Sequence, residues 1–249
     1  MTAGGVTLLV VAKAPVPGRA KTRLAAVLGP QAAAEVAAAA LLDTLDAVLA
    51  AARALGSGPP VVAWDGDADE GARAHEVRTA LSLCRVVAQP DVPFAERLVA
   101  AHQAAADADA GPGRRRDVLR EADPGVPRTA QGRVVQGRVV QIGMDTPQVT
   151  AAHLVEAAAA LNRADAALGP AEDGGWWVLA VRDPAHAQGL RDVPMSRPDT
   201  AERTWSALTC RGLRVERLRV LRDVDTWEDA RAVAGQAGLR FRQTVARYA

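Results

Sequence analysis

An α/β fold, a mostly parallel sheet covered by helices on both faces, is what this 249-residue sequence predicts. Three observations point to it. Strand-like and helix-like segments alternate almost throughout. The first apolar run, Val6–Ala12, is continuous rather than alternating, as a parallel strand buried on both faces should be. A second apolar run, Val134–Ile142, reads as a buried strand and ends in Gly143-Met144-Asp145-Thr146-Pro147. Pro147 cannot donate to a ladder and pushes Thr146 into extended backbone, so the chain must turn there. Asp145 is then displayed at the carboxyl end of a strand, where open α/β sheets bind their ligands.

The elements follow in order. Pro30–Leu55 reads as a long Ala-rich helix, with Pro30 in its first turn and Gly56 at its stop. Short strands are expected at Pro60–Trp64 and Cys84–Ala88, with a helix over Ala68–Ala80 between them and another over Pro93–Asp109. After the central strand, Thr150 is a good N-cap for a helix reaching Asn162. Asp165–Leu168 and Trp176–Val181 read as strands joined by the turn Gly169–Gly175. Thr200–Arg211 is a predicted helix and Leu213–Leu221 a strand. A helix from Thr226 stops near Gly235, and Leu239–Ala249 forms a weakly amphipathic terminal helix. The whole chain is expected to be a single domain with a mobile insertion at 110–133. That segment is rich in Gly, Pro, Arg and Asp and runs into the duplicated pentapeptide Gly-Arg-Val-Val-Gln. Its arginines read as a solvated charge run, or as a flap reaching a phosphate-bearing substrate.

Composition narrows the function classes. Hydrophobic residues make up 49% and charged residues 24%, with a net charge of +1, so nothing attracts nucleic acid or a membrane surface in general. Cys84 and Cys210 offer no CxxC or Cys/His cluster, which argues against a disulfide framework or a zinc site. The N-terminal apolar run lacks a basic region and is too short for a signal peptide or a membrane span, so a cytoplasmic location is the default. His75, His102, His153 and His186 are dispersed without ligand spacing and read as surface or core residues.

Three constellations carry chemistry. The first is Ala12-Lys13-Ala14-Pro15-Val16-Pro17-Gly18-Arg19-Ala20-Lys21-Thr22-Arg23, directly after the first strand. Lys13, Arg19, Lys21 and Arg23 fall on a loop stiffened by two prolines and opened by Gly18. Such a loop offers cationic heads and backbone N–H groups to a diphosphate, although it equally fits a solvated basic surface. It matches neither GxxxxGK[ST] nor GxGxxG. The second pairs Asp145 with Asp225, which lies in Asp223-Val224-Asp225-Thr226 after the last strand. Two carboxylates plus substrate phosphate oxygens are an ordinary Mg²⁺ site; taken singly, Asp145 fits an Asx turn and Asp225 a helix cap. The third is Gly169-Pro170-Ala171-Glu172-Asp173-Gly174-Gly175-Trp176-Trp177. Asp173 could bind an acceptor hydroxyl or act as a base, while the two tryptophans point to opposite faces of a strand. A plain hairpin turn explains the same residues.

Four motifs in order resemble a known group: Ala12-Lys13-x-Pro15-x-Pro17-Gly18-x-x-Lys21-Thr22-Arg23-Leu24, Gly143-x-Asp145-x-Pro147, Gly169-Pro170-x-x-Asp173-Gly174-Gly175-x-Trp177 and Asp223-Val224-Asp225-Thr226. They resemble the bacterial GT-A-type transferases known as rSAM/selenodomain-associated transferase 1. They are more distantly similar to the molybdenum-cofactor and 2-phospholactate guanylyltransferases. The resemblance spans Val6 to about Ala234 and implies a nucleotide-diphospho-sugar transferase fold with Mg²⁺ or Mn²⁺ as cofactor. It implies Ala12, Lys13, Gly18, Arg19, Lys21 and Arg23 as nucleotide and phosphate contacts. Asp145 and Asp225 become metal ligands, Asp173 and Asp145 catalytic residues, and Gly174, Gly175 and Trp177 substrate contacts. The family more often has a tyrosine followed by another aromatic residue where this chain has Trp176-Trp177. The expected partners are a nucleotide or nucleotide sugar and a small-molecule acceptor. The implied reaction is glycosyl transfer, with nucleotidyl transfer from a nucleoside triphosphate as the alternative and a non-catalytic nucleotide-binding protein as the third.

Overall fold

The computed structural model describes residues 5–109 and 137–249. The expected insertion at 110–133 lies outside the described residues. Among the described residues seven strands form one sheet in the order β3-β2-β1-β4-β6-β5-β7: β1 (Val6–Lys13), β2 (Val61–Asp65), β3 (Arg85–Ala88), β4 (Arg138–Ile142), β5 (Ala166–Pro170), β6 (Trp176–Val181) and β7 (Val215–Arg217). All neighbouring pairs are parallel except those of β6, which runs antiparallel to both β4 and β5. The carboxyl ends of β1, β2, β4 and β5 and the start of β6 therefore share one edge of the sheet.

Alternation along β1 builds the core on both faces. Leu8, Val10 and Ala12 pack against Leu41, Leu42 and Leu45 of helix α2 (Pro30–Leu55) and Leu154 of α5 (Ala151–Ala160). Leu9 and Val11 pack against Leu98 and Val99 of α4 (Phe94–Asp109) and, further along, residues of α6 (Thr200–Thr209). This double burial explains why the first strand reads as an unbroken apolar run. A third cluster joins Leu24 of α1 (Thr22–Leu28) to Val36 and Ala40 of α2. Ala230 and Val233 of α7 (Trp227–Val233) and Phe241 of α8 (Leu239–Tyr248) complete it. Among the described residues no helix is long and apolar enough to cross a membrane.

α1 and a 3₁₀ segment, Pro184–Leu190, are not among the expected elements, and two expected elements are broken. The helix expected over Ala68–Ala80 is broken into a 3₁₀ turn, Ala68–Glu70, and α3 (Ala74–Leu81). Gly71 lies against Pro15, where an added Cβ would meet the Pro15 ring at 3.0 Å, and the Ala72 N–H donates to the Pro15 carbonyl at 3.0 Å. Docking of the basic loop thus overrides local helix propensity. The strand expected over Leu213–Leu221 is also interrupted. Leu218 N–H still donates to Leu168 O, and beyond it a single isolated bridge joins Leu221 to Ala171. Pro170 in between has no N–H to give a ladder. The freed Arg219 carbonyl accepts the Trp177 indole N–H at 2.9 Å.

One polar pair interrupts the α4 face. His102 of α4 is fully buried, and its Nε2 lies 2.8 Å from Gln141 Oε1 on β4. Burial pushes the imidazole pKa down from its ordinary 6.5 to about 4, against a smaller opposing effect of the Gln141 hydrogen bond. The folded state therefore requires the neutral ring. Its contribution is complete above pH 6.5 and is lost as the pH falls through about 4, to a total of roughly 3 kcal/mol. Urea denaturation should show wild-type stability declining over that window, and His102→Gln should flatten the decline. An equally steep decline in the variant would assign the acid sensitivity elsewhere.

Candidate functional site

A cleft of about 730 Å³ opens along the carboxyl edge of the sheet. Strand register explains what it receives. β1 and β4 pair Val10 with Ile142, so both strands leave the sheet together and the next residues bring Lys13 and Asp145 to one edge. β1 also pairs Lys13 with Asp65 at the end of β2. Ala12, Lys13, Arg19, Lys21, Arg23, Asp145, Asp173, Gly175 and Asp225 all line the cleft, so most of the residues singled out in the sequence converge there.

Lys21 is the centre of this arrangement. Its Nζ donates to Asp145 Oδ2 at 2.8 Å and to Asp225 Oδ1 at 2.7 Å, with only 13% of the side chain exposed. Burial alone would favour the neutral amine, but the two carboxylates outweigh it and raise the Lys21 pKa above its ordinary value. Asp225 is held below the usual carboxylate range: burial pushes it up, and the Lys21 charge and hydrogen bond, helped by Arg23 and Lys13, more than reverse that. Asp223, next door, is pushed up to about 8 by burial and then by the carboxylates of Asp145 and Asp173, which Lys21 only partly offsets.

Local structure leaves both acids free for this role. The Val224 N–H donates to the Asp145 carbonyl at 2.9 Å, which ties the two acid-bearing loops together. Asp145 does not spend its carboxylate on an Asx turn. It lies over Gly143, where an added Cβ would come within 2.9 Å of Oδ1. Thr226, not Asp225, caps α7: its hydroxyl accepts from Asp229 N–H, and the Asp229 carboxylate accepts from Thr226 N–H at 2.9 Å. That capping box satisfies the helix start.

The remaining candidates divide. Asp173 lines the cleft while its Oδ1 also accepts from Gly175 N–H at 2.8 Å, so it is both a turn residue and a cleft residue. Gly174 and Gly18 do not line the cleft. Gly174 adopts φ 89° and packs so tightly on the Pro198 backbone that a Cβ would overlap it; Gly18, at φ 78°, shapes the basic loop. Arg19 is exposed and 3.9 Å from Glu70, and Arg23 is 77% exposed and 4.0 Å from Asp225.

Trp177 needs correcting as a substrate contact. It is 2% exposed, sits in the core with Gly169 against its indole, and donates to Arg219 O. Strand alternation turns its neighbour Trp176 into the cleft instead, beside Met195 and Thr200. Reasoning from sequence also missed Gln141, Phe94 and Arg97 in the cleft wall. Arg97 stacks over Phe94 at 5.2 Å and lies 3.7 Å from Asp65. A signal for Gln141 existed: it is the one polar residue in the apolar core of its strand, Val139-Val140-Gln141-Ile142.

The cleft thus has a charged wall on the α2 face and, on the α4 face, a wall of Val11, Phe94, Leu98, Trp176 and Met195. Such a pair of walls suits a ligand that joins anionic and flat or apolar groups.

Comparison with known proteins agrees with this architecture. The model of the DUF2064 family, described as an uncharacterized protein conserved in bacteria, matches residues 44–197. That is more than half of the chain, and the chain belongs to this family. No curated protein matches it. A solved candidate nucleotide-diphospho-sugar transferase of Desulfovibrio desulfuricans G20 is similar over 97% of this chain and 92% of its own, at 25% identity and a TM-score of 0.71. The 4-diphosphocytidyl-2C-methyl-D-erythritol synthase of Anaerococcus prevotii DSM 20548 is similar over 98% of both chains, at 10% identity and a TM-score of 0.51. The Mycobacterium sp. strain JC1 homolog of Mycobacterium tuberculosis rv0371c is similar over 97% of this chain and 98% of its own, at 19% identity and a TM-score of 0.50. The last two establish a shared fold and no more. The sheet is that of the nucleotide-diphospho-sugar transferases.

The two tryptophans provide a test of the cleft's boundary. Trp177→Ala should cost about 3–5 kcal/mol of stability, the usual price of emptying an aromatic core position. Trp176→Ala should cost about 1–2 kcal/mol and act on ligand binding. Urea denaturation of the two variants distinguishes them; equal losses would mean that Trp176 is core as well.

Proposed function

We propose that this protein is a divalent-metal-dependent glycosyltransferase that takes a nucleoside-diphosphate sugar as donor and a small molecule as acceptor. The observation that carries the reading is the Lys21–Asp145–Asp225 cluster, placed by the first loop and two strand-end turns at the ligand-binding edge of the sheet. The likeness to the Desulfovibrio protein supports it. So does the sequence resemblance to the rSAM/selenodomain-associated transferases.

The residues suit a hard divalent cation. Asp145 and Asp225 already direct one oxygen each at a single positive charge. Among the described residues no three His, Cys, Asp or Glu side chains gather to enclose a metal unaided. A carboxylate pair completed by phosphate oxygens is how Mg²⁺ is ordinarily held, and Mn²⁺ favours the same oxygen donors. Bound there, the ion would neutralise charge on the departing diphosphate.

The chain's own groups account for the rest. Lys13, Lys21 and Arg23 are the cations available to a diphosphate on the charged wall, and their preorganised charge favours the leaving group. Trp176 is the aromatic surface against which a sugar ring would lie. Asp173 takes the proton of the acceptor hydroxyl as its oxygen bonds to the anomeric carbon and the bond from that carbon to the diphosphate breaks.

A thermal-shift panel of nucleoside-diphosphate sugars and nucleoside triphosphates, with and without Mg²⁺ or Mn²⁺, tests this. A ligand at about a hundred times its dissociation constant should add roughly 2.7 kcal/mol. Preference for one diphosphate sugar, dependent on metal, is expected. Preference for a triphosphate, with pyrophosphate released on turnover, would replace glycosyl with nucleotidyl transfer. Asp145→Ala and Asp225→Ala should each abolish the metal-dependent shift with the fold retained. Undiminished shifts in both would sink the metal assignment.

A further inference from the structure

Lys21 stands on the same carboxylate oxygens to which the proposed function assigns a divalent ion. Its ammonium donates to Asp145 Oδ2 at 2.8 Å and Asp225 Oδ1 at 2.7 Å. Mg²⁺ binds carboxylate oxygens at about 2.0–2.1 Å along the lone pairs that an ammonium uses at its longer distance. A doubly charged ion and an ammonium cannot share those oxygens without strong like-charge repulsion.

Two further features show that the lysine is held there, and a third shows how it can leave. Lys21 has left-handed backbone, φ 50° and ψ 57°, directly before α1. A lysine adopts that conformation only when its surroundings impose it, and such outliers cluster at functional sites. Its ammonium is buried by the protein, whereas the other cations of the loop are not. Arg23 reaches the far oxygen of Asp225 only at 4.0 Å and is 77% exposed, and Lys13 is also exposed. Finally, Asp145 and Asp225 are tied through the Val224–Asp145 backbone hydrogen bond, so the ammonium can leave while the two acids stay paired.

We propose that Lys21 is a built-in counter-ion that closes the metal position until a diphosphate arrives. The diphosphate draws the ammonium off the two carboxylates, and the divalent ion takes the vacated oxygens, completing its shell with phosphate. Nucleotide diphosphate and metal therefore bind as a coupled pair, and the ion alone binds weakly. The long, flexible lysine stem suits a charge that must swing, which the fork of an arginine would not. This inference rests on the assignment of Asp145 and Asp225 as metal ligands.

Mn²⁺ binding to the full chain without nucleotide, followed by the electron paramagnetic resonance signal of free Mn²⁺, tests the inference. Lys21→Gln removes the charge and keeps a polar side chain. It should bind Mn²⁺ at least about tenfold more tightly than wild type, within the usual range of coupling between sites. Adding Asp225→Asn to Lys21→Gln should cancel the gain. Unchanged or weaker Mn²⁺ affinity in Lys21→Gln, alongside wild-type binding that Asp225→Asn abolishes, would overturn the counter-ion role and leave the metal site standing. Failure of every chain to bind Mn²⁺, even with uridine, guanosine, adenosine or cytidine diphosphates present, would overturn both. Should Lys21→Gln not fold, wild-type melting decides: Mn²⁺ alone should barely move the Tm, and Mn²⁺ with a diphosphate should raise it beyond the sum of the separate shifts. A full Mn²⁺ shift without diphosphate would overturn the proposal.

Discussion

One ammonium between two carboxylates organises this molecule. Lys21, Asp145 and Asp225 lie on three loops that the chain visits at its beginning, middle and end, and the three side chains meet at one edge of the sheet. A buried charge is costly unless paired, and removing one partner of a buried cluster costs more than the pair contributes. Here the cost is contained because the lysine has two acids, and the loops carrying the acids are linked by their own backbone hydrogen bond. The arrangement still leaves surplus negative charge. Asp223, pushed up to about 8 first by burial, is raised further by that surplus through the Asp145 and Asp173 carboxylates.

The rest of the fold can be read as support for that contact. β1 and β4 are adjacent, parallel and in register, so Lys13 and Asp145 emerge at the same height. Gly143 leaves room for the Asp145 carboxylate, and Thr226 with Asp229 caps α7 so that Asp225 need not. Helix α8 is anchored from a distance. The buried Asp43 of α2 accepts its Phe241 N–H, and Arg73 bonds both Glu35 and Thr244. α8 in turn closes the cluster that contains Leu24, three residues after Lys21, and Val224, one before Asp225. Packing far from the cleft thus holds the loops on which the acids and the lysine sit.

Much of this was legible in the sequence, for physical reasons that name its limits. Strands buried on both faces betray themselves as continuous apolar runs, and the Thr150 cap follows from local hydrogen-bond chemistry alone, which at α7 fits Asp225 as well as Thr226. The broken helix before α3 and the interrupted final strand were not legible, because a proline from another element decides each: Pro15 docking on Gly71, and Pro170 withholding an N–H. Alternation says that Trp176 and Trp177 face opposite sides, but only the neighbours say which side is core. The basic loop announced its charge and its turn. That Lys21 spends its charge on Asp145 and Asp225 depends on pairing across 124 and 204 residues, beyond the reach of any local pattern.

The His102–Gln141 pair shows why a buried polar contact should be weighed separately from stability. The imidazole is neutral and Gln141 Oε1 can only accept, so Nε2 carries the proton and Nδ1 is left as a bare acceptor. Among the described residues that buried Nδ1 meets no hydrogen-bond partner. An unsatisfied buried acceptor costs about 1–3 kcal/mol, and an apolar pair of similar size would avoid that cost. What the pair achieves is orientation. With its oxygen held by His102, Gln141 can offer the cleft only its amide N–H₂, on a rigid central strand four residues before Asp145. The charged wall is generic to anything that carries a diphosphate. A fixed donor in the floor of the opposite wall is selective, because it favours a ligand atom that accepts and leaves a donor unpaired. That donor stands on the α4 face of the cleft, where the structure tolerates a buried imperfection, across from the charges of the Lys21 cluster.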